Sequence, residues 1–323
     1  MKRHLLAAAL AVVAAAPAGA QSAQCAGGLS QTQDACQKAV DLFDYMAPQL
    51  GTAIAGGSAT LGQGGTVGGL GHFALSLRAN AVQGSLPRID EVTPSHAGAR
   101  ADTYRTDAQP VPLPAVDAAI GVFKGLPLGL TYVGGVDLLV SASYLPSYDG
   151  DEVQVKTPEG SLKLGYGARI GLLQESILIP GVSATFLKRD LPTVNITAGT
   201  SDGSLDIHGL SAKTTSWRLT ASKKLFLLGL AVGGGQDKYD ASASVVGSVN
   251  DDILGLLSTR ADAKQELTRT NYFADLSLNL LLLKVVAEVG QVSGGDIATF
   301  NQFAGKEADA SRLYGSVGFR FGL

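Results

Sequence analysis

Long apolar runs are missing from this sequence of 323 residues once the first 20 residues are passed. A membrane-spanning helix needs about 20 mostly apolar residues, so the sequence beyond residue 20 predicts none. Charge is also scarce: 16% of the residues are charged, and 25 Lys and Arg stand against 28 Asp and Glu. A nucleic-acid-binding surface needs a basic excess, so nucleic acid is excluded as a partner.

The first 20 residues have the pattern of a secretory signal peptide. Lys2 and Arg3 precede an apolar run from Leu5 to Ala16, and Ala18-Gly19-Ala20 supplies the small residues that signal peptidase requires. We therefore expect residues 1–20 to be cleaved on export. Since they contain two basic residues, 23 Lys and Arg remain against 28 Asp and Glu, a net charge of −5.

Cysteine is limited to Cys25 and Cys36. Cys25 does not follow the cleavage point directly, which argues against a lipid anchor. In an oxidising compartment the two thiols are expected to form a disulfide that closes a short loop. Two thiols without a nearby histidine do not fill a zinc shell, so the sequence predicts neither a metal site nor a cofactor.

Glycine is abundant, with 41 residues, and it divides the chain. Helical periodicity is confined to residues 32–50, where Val40, Phe43 and Met46 form a stripe and Pro48 is expected to end the helix. Residues 51–71, the glycine-rich stretch, are too rich in glycine for a regular element. We expect three parts: a signal peptide (1–20), an N-terminal segment (21–70) that is either a linker or a plug, and a β-domain (71–323).

The β-domain shows alternation of apolar and small or polar residues, which is typical of strands with one apolar face. We expect each segment to belong to a strand of the roughly 9–11 residues that a tilted membrane strand needs. Ten such segments lie at 72–81, 116–122, 136–144, 162–170, 182–186, 216–221, 228–237, 272–280, 285–290 and 313–323.

The links between these segments alternate between long and short, with about thirty residues after Asp240 in the fourth long link. This asymmetry is typical of an antiparallel up-and-down transmembrane β-barrel with long external loops and short periplasmic turns. With five long links, both barrel ends and the N-terminal segment are expected on the periplasmic side. A hairpin in residues 90–108 or 240–260 would raise the strand number from ten to twelve. A soluble β-sandwich is the alternative, but the non-apolar face is largely Gly, Ala and Ser, which suits a barrel interior better.

The final segment, LYGSVGFRFGL, resembles the closing strand of bacterial outer-membrane barrel proteins. The resemblance implies an outer-membrane location, contact with outer-membrane lipid and recognition of the last strand by the barrel-assembly machinery. The family usually ends on Phe, whereas this chain ends on Leu323. Residues expected in the aromatic girdles are Tyr132, Tyr144, Tyr166, Trp217, Tyr272 and Phe319.

Charges of both signs fall on the inward face of the predicted strands. Burial of a lone charge is prohibitive, so these residues should pair into a network that either fills the lumen or lines a selective path. The set is Arg78, Asp117, Asp137, Lys163, Arg169, Arg218, Asp237, Asp275, Glu288, Arg312 and Arg320.

The N-terminal segment looks like the hatch of the outer-membrane long-chain fatty-acid transporter family, although that family has more strands and its hatch motif is absent. This resemblance implies porin-like passage of small or hydrophobic solutes, with a small hydrophobic ligand. A closed barrel that acts through its external loops as a structural or adhesive protein is the alternative. In either case we expect a monomer.

An enzyme is not predicted, but one pattern resembles the omptin proteases. Asp149 and Asp151, with Asp206 and His208, have the spacing of the omptin acidic pair and Asp-His pair. Short D-x-D and D-x-H patterns arise freely in loops, and the omptin flanking sequence is missing.

Overall fold

The computed structural model describes residues 19–150, 153–280 and 282–322. Most of the predicted signal peptide, Asp151 and the final Leu323 therefore lie outside the described residues. Ten strands form the barrel: β1 (Phe73–Pro87), β2 (Thr106–Phe123), β3 (Gly135–Tyr144), β4 (Leu162–Leu173), β5 (Gly181–Asp190), β6 (Gly203–Leu225), β7 (Leu228–Asp251), β8 (Gly255–Leu280), β9 (Leu283–Ser293) and β10 (Arg312–Gly322).

Every neighbouring pair of these strands is antiparallel, and the sheet closes on itself. β1 pairs with β10, with Leu77 opposite Phe319, and β5 pairs with β6, with Phe186 opposite Trp217. The predicted ten-stranded barrel is confirmed, and β10 is the strand that pairs with the first. Closure leaves the main barrel wall without an unpaired edge.

Shorter strands lie in the connections at the two ends of the barrel. They lie at Thr103–Tyr104, Leu126–Leu128, Thr131–Val133, Tyr148–Asp149, Val153–Lys156, Val194–Thr200 and Gln302–Phe303. The end at which β1 finishes carries the long connections, and by the asymmetry of such barrels it is the external end.

The expected long loop after Asp240 is wrong. β7 and β8 instead run on together and meet at a tight turn between Asp251 and Gly255. The hairpin in 240–260 does exist, but it lengthens two barrel strands and adds none. With β6, these strands form what we call the external extension, residues 203–216, 237–251 and 255–271.

The cause of that error is a reversal of polarity along the strands, which is clearest on β8. From Tyr272 to Leu280 the outward side chains Tyr272, Leu276, Leu278 and Leu280 are apolar and 40–65% exposed. These nine residues of a tilted strand span about 23 Å, close to the height of a membrane band. We call this level the apolar band.

From Tyr272 towards the external end, the outward face of β8 becomes polar and its inward face becomes apolar. The outward residues Arg260, Asp262, Lys264 and Glu266 are charged and exposed. The inward residues Ala261, Ala263 and Leu267 are apolar and buried. The external extension is therefore built like a soluble sheet with an apolar core, whereas the apolar band has its apolar side turned outwards.

Two helices occupy that core: α1 (Ala23–Ala26) and α2 (Ser30–Ala55). A disulfide joins Cys25 to Cys36 across them. Neither helix combines the length and apolar character that a bilayer-crossing helix needs.

The expected end of the helix at Pro48 is also wrong, since α2 continues to Ala55. Proline lacks the N–H that would bond the carbonyl four residues earlier, at Asp44. The barrel wall replaces this donor, because Gln265 Nε2 donates to the Asp44 carbonyl at 2.9 Å. Tertiary contact thus overrides the local stop signal.

The N-terminal segment does not lie on the periplasmic side, contrary to expectation. It starts at the external end, where Gly19 N–H donates to Thr299 O at 3.0 Å and Thr32 Oγ1 lies 2.6 Å from Thr259 Oγ1. It then descends through the lumen, and the chain enters β1 from the opposite end.

Candidate functional site

The carbonyl end of α2 meets three arginines of the barrel wall. Arg78 donates to Gly56 O at 2.9 Å, Arg189 to Gly57 O at 3.0 Å, and Arg218 to Ala55 O at 2.6 Å. The last turn of a helix has unpaired carbonyls and a partial negative charge, so cations are favoured there. Arginine side chains of the wall therefore bind the backbone carbonyls at the end of the helix.

The glycine-rich stretch is held by wall carboxylates, which accept its backbone N–H groups. Ser58 N–H donates to Glu288 and Gly62 N–H to Asp275, each at 3.0 Å, and Val67 N–H donates to Asp137 at 3.1 Å. Gly62 has a φ of +68°, a conformation that glycine adopts without strain. Glycine also lets the backbone approach the wall closely.

Buried ion pairs connect these side chains to each other. Arg78 lies 2.6 Å and Arg189 3.1 Å from Asp117, and Arg169 lies 2.6 Å from Asp137. The longest pair, Arg218 with Asp237, measures 3.7 Å. Buried charges need such partners and further hydrogen bonds to offset the loss of water. The N-terminal segment supplies part of these bonds, whereas Arg218 Nε and Nη1 and Asp237 Oδ1 are buried without a hydrogen-bond partner among the described residues.

Three predicted inward residues have other surroundings. Arg312 is fully buried with its guanidinium 5.7 Å from the ring centre of Tyr45 on α2. Arg320 donates to the carbonyls of Thr60 and Leu61. Lys163 is half-buried on β4 and makes no ion pair with a described residue, so the structure does not bring it into the network.

Two contributors were missed by the sequence analysis. Arg189 lies three residues past the predicted strand segment 182–186, yet it shares the inward side with Leu187. Asn80 Nδ2 donates to Ala53 O at 2.6 Å. Continuing the alternation to the end of β5 would have found Arg189. Nothing in the sequence distinguishes Asn80 from other polar inward residues.

Close backbone contact fixes α2 against β7. A Cβ at Gly247 would lie 2.1 Å from the carbonyl carbon of Ala35, and one at Gly51 would lie 2.6 Å from the ring of Tyr239. No side chain fits at Gly247 unless the helix moves. Wall and helix are thus complementary at the level of the backbone.

Little space remains at the centre of the lumen. A cavity beside the end of α2, lined in part by Gly57, Arg189 and Arg218, has a volume of about 20 Å³, the space of a single water. Larger cavities lie towards the two ends. One of about 300 Å³ lies beside Lys38 and Tyr104 at the external end, and one of about 570 Å³ lies at the periplasmic end.

The omptin-like residues do not converge. Asp149 pairs with Gln154, Gln154 with Thr197, and Thr197 with Asp206. Three strand spacings, about 14 Å in total, therefore separate Asp149 from Asp206. One water cannot bridge that gap. Asp151 lies outside the described residues.

Four of the expected girdle aromatics are exposed on the outer face of the wall, towards its external end: Tyr144, Tyr166, Trp217 and Tyr272. Phe319 is exposed nearer the periplasmic end, and Tyr132 lies in a periplasmic hairpin with Lys124 Nζ 4.3 Å from its ring centre. Trp217 and Tyr272 mark the level at which the outer face changes from charged to apolar.

No protein-family profile and no curated protein sequence matches the chain. Solved structures that it resembles include the translocator domain of the autotransporter NalP from Neisseria meningitidis, at 10% identity and a TM-score of 0.40, covering 87% of this chain and 94% of that one. The toluene transporter TbuX of Ralstonia pickettii has 11% identity and a TM-score of 0.29, covering 85% and 97%. Ail, the attachment invasion locus protein of Yersinia pestis, has 10% identity and a TM-score of 0.20, covering 79% and 99%.

At these scores the likenesses carry no argument about the role of this chain. The classification depends on the molecule itself: ten antiparallel strands closed in a ring, a polar lumen and an apolar outer band. The chain is an outer-membrane-type β-barrel whose lumen contains its own N-terminal segment.

Proposed function

We propose that the protein is a closed outer-membrane barrel that acts at its external face as a structural or adhesive protein. The observation that carries this proposal is α2, which lies inside the ring and forms the apolar core of the external extension. A barrel that passes solutes freely needs an empty lumen, and the N-terminal segment leaves a cavity of only about 20 Å³ beside the end of α2.

The energetics of α2 favour permanent closure. Leu42, Phe43 and Ile54 are at most 5% exposed and pack within this core. Returning each to water costs about 1.5–3 kcal/mol, and the polar contacts of Asp34 and Asp41 on α2 with the external loops add to that cost. Withdrawal of α2 would also remove the backbone carbonyls that accept from Arg78, Arg189 and Arg218, and these buried arginines would keep only their wall carboxylates.

The external loops are held in place, as a recognition surface requires. Asp34 on α2 accepts backbone N–H groups from Ser95 at 2.6 Å and Arg100 at 2.8 Å. His96 Nε2 lies 2.6 Å from Asp202 Oδ2 and links two loops. A surface whose loops are ordered in advance loses less conformational entropy when it binds a partner.

The first test is the conductance of the full-length mature protein in planar bilayers. We expect no steady ion-conducting events, with the disulfide intact or reduced. A steady conductance from the oxidised wild-type protein would contradict the proposal. A refolded large porin, recorded in the same bilayers, controls for productive insertion.

Gated passage is the second candidate, and the glycine-rich stretch favours it. Its attachments to Glu288, Asp275 and Asp137 are polar and made through the backbone, so water could replace them at small cost. A disulfide engineered between Ala53 and Asn80 would lock the segment to the wall. If uptake of a small solute by cells requires this protein and the lock abolishes it, passage replaces closure as the function.

A further inference from the structure

The cavity of about 570 Å³ at the periplasmic end, which we call the vestibule, is open and lies within the ring. Its walls are inward-facing residues at the periplasmic ends of β6, β8, β9 and β10. Gly62, Gln63 and Gly65 of the glycine-rich stretch cover it from above, and the turn after β4 closes one side. Its size is that of a small-molecule pocket.

The charges that line the vestibule are unbalanced. Lys223, Lys224, Lys284 and Arg320 face a single carboxylate, Glu175. Lys284 on β9 and Arg320 on β10 are direct cross-strand partners on the inward face. Like charges directly opposite each other destabilise a sheet, so this pair has no structural benefit of its own.

Two of these charged side chains, Lys223 and Glu175, already make hydrogen bonds within the protein. Lys223 Nζ donates to the carbonyls of Ser176 and Ile177 at 2.6 and 2.8 Å, which holds the turn. Glu175 accepts the backbone N–H of Lys224 at 2.6 Å. The ammonium groups of Lys224 and Lys284 have no hydrogen-bond partner among the described residues.

We infer that the vestibule binds a soluble oxyanion, a small molecule that carries phosphate or carboxylate groups. Lys224 and Lys284 supply charge-assisted hydrogen bonds, and Arg320 adds its positive field from the deep end. Polar side chains of Gln174, Ser277 and Asn279 line the same space. Gln174 is bonded to Thr66 and Asn279 to the Leu227 carbonyl, so the Ser277 hydroxyl and the volume of the cavity are what suit an organic anion larger than phosphate itself. A lipid headgroup fits less well, because these side chains point into the lumen rather than towards the bilayer.

The site is independent of the proposed function, since it lies at the opposite end of the barrel from the external loops. A bound anion would neutralise the Lys284 and Arg320 pair directly below the glycine-rich stretch. The periplasmic end would then be more stable with ligand than without it.

The test uses the full-length protein in a non-ionic detergent, with pyrophosphate and citrate as probes and chloride at matched ionic strength as reference. We expect saturable binding by calorimetry and a rise in Tm. The Lys284→Gln variant should bind about tenfold more weakly, because a charge-assisted bond is lost. Lys238→Gln is the matched control, as Lys238 lies on the outer face paired with Glu266 at 2.9 Å.

A second measurement distinguishes a binding role from a general charge effect. Without any anion, Lys284→Gln should raise the Tm, because it relieves repulsion with Arg320, and pyrophosphate should then raise it little further. Absence of saturable binding to the wild type, or an equal loss in Lys238→Gln, overturns the proposal. Stabilisation by phosphatidylglycerol vesicles but by neither soluble probe would assign the site to lipid and also overturn it.

Discussion

Each arginine that meets the end of α2 is matched to a backbone oxygen of the N-terminal segment. Arg218 reaches Ala55 O and Arg78 reaches Gly56 O, while Asp117 neutralises Arg78 from the other side. Alternation placed Arg78, Arg218 and Asp117 on the inward face. It did not identify their acceptors, because a backbone carbonyl far away in sequence leaves no signal in the residue types.

Asp44 makes the stability of the external extension depend on pH. Burial, with a contribution from the nearby Asp41, raises the pKa of Asp44 from 3.8 to about 7. The folded state therefore binds more protons than the unfolded chain between these values, and stability falls as the pH rises from about 4 to about 7.

Asp44→Asn should reduce this loss, because the amide carries no charge at any pH. We expect the difference in Tm between pH 5 and pH 8, measured by circular dichroism in detergent, to shrink in this variant. The exposed Asp252→Asn should leave the difference as in the wild type. An unchanged difference in Asp44→Asn would show that other groups control the pH dependence.

Gly247 is the position where a single methyl group should disturb the packing of α2. Gly247→Ala places a Cβ against the backbone of Ala35 and should cost about 1–3 kcal/mol or more of unfolding free energy. Gly199→Ala is the control, since its Cβ would have no heavy atom within 4 Å. Thermal unfolding of both variants measures the contrast. Equal and small losses would mean that α2 does not rest on β7.

At the scale of elements, α2 shows how far local sequence rules extend. The stripe of Val40, Phe43 and Met46 predicted a helix, and the helix is there. Its end was placed too early, because Pro48 stops an isolated helix but not one whose freed carbonyl is bonded by the wall. The sequence predicts a loop for much of the external extension, because the alternation there has the polarity of a soluble sheet, opposite to that of the apolar band.

Gln265 should matter mainly because of Pro48, since its other contact with Asp44, from Nε2 to Oδ1, is longer at 3.3 Å. Gln265→Leu leaves the Asp44 carbonyl without its donor and should cost about 1–3 kcal/mol. In a Pro48→Ala background the new N–H bonds that carbonyl, so the same change should cost less. A double-mutant cycle by thermal unfolding gives the coupling. Equal losses in both backgrounds would contradict this account of the helix.

On the scale of the whole molecule, strand number and closure followed from the sequence, but the course of the N-terminal segment did not. Counting links gave the side on which β1 begins. It could not show that the residues before β1 turn back through the lumen, because that path depends on contacts such as Asp41 with Asn301, at 2.8 Å and 260 residues apart.

The start of the N-terminal segment and the turn after β4 should be accessible from opposite sides of the membrane. A peptide epitope inserted between Gln21 and Ser22 should bind antibody on intact cells, since this end lies beside the external loop at Thr299. The same epitope in the turn at Ser176 should bind only after the outer membrane is permeabilised. Labelling of the turn but not of the N-terminal site on intact cells would reverse the orientation.

The closed sheet that surrounds α2 bears on the order in which the N-terminal segment and the barrel wall come together. If the ring closed first, the disulfide-bonded start of the N-terminal segment would have to enter a lumen lined with charged side chains. The charged residues Asp34, Lys38 and Asp41 of α2 would have to enter with it. Closure of the wall around a segment already in place avoids that barrier. We therefore expect the pairing of β1 with β10, which closes the ring, to form after the N-terminal segment is in place.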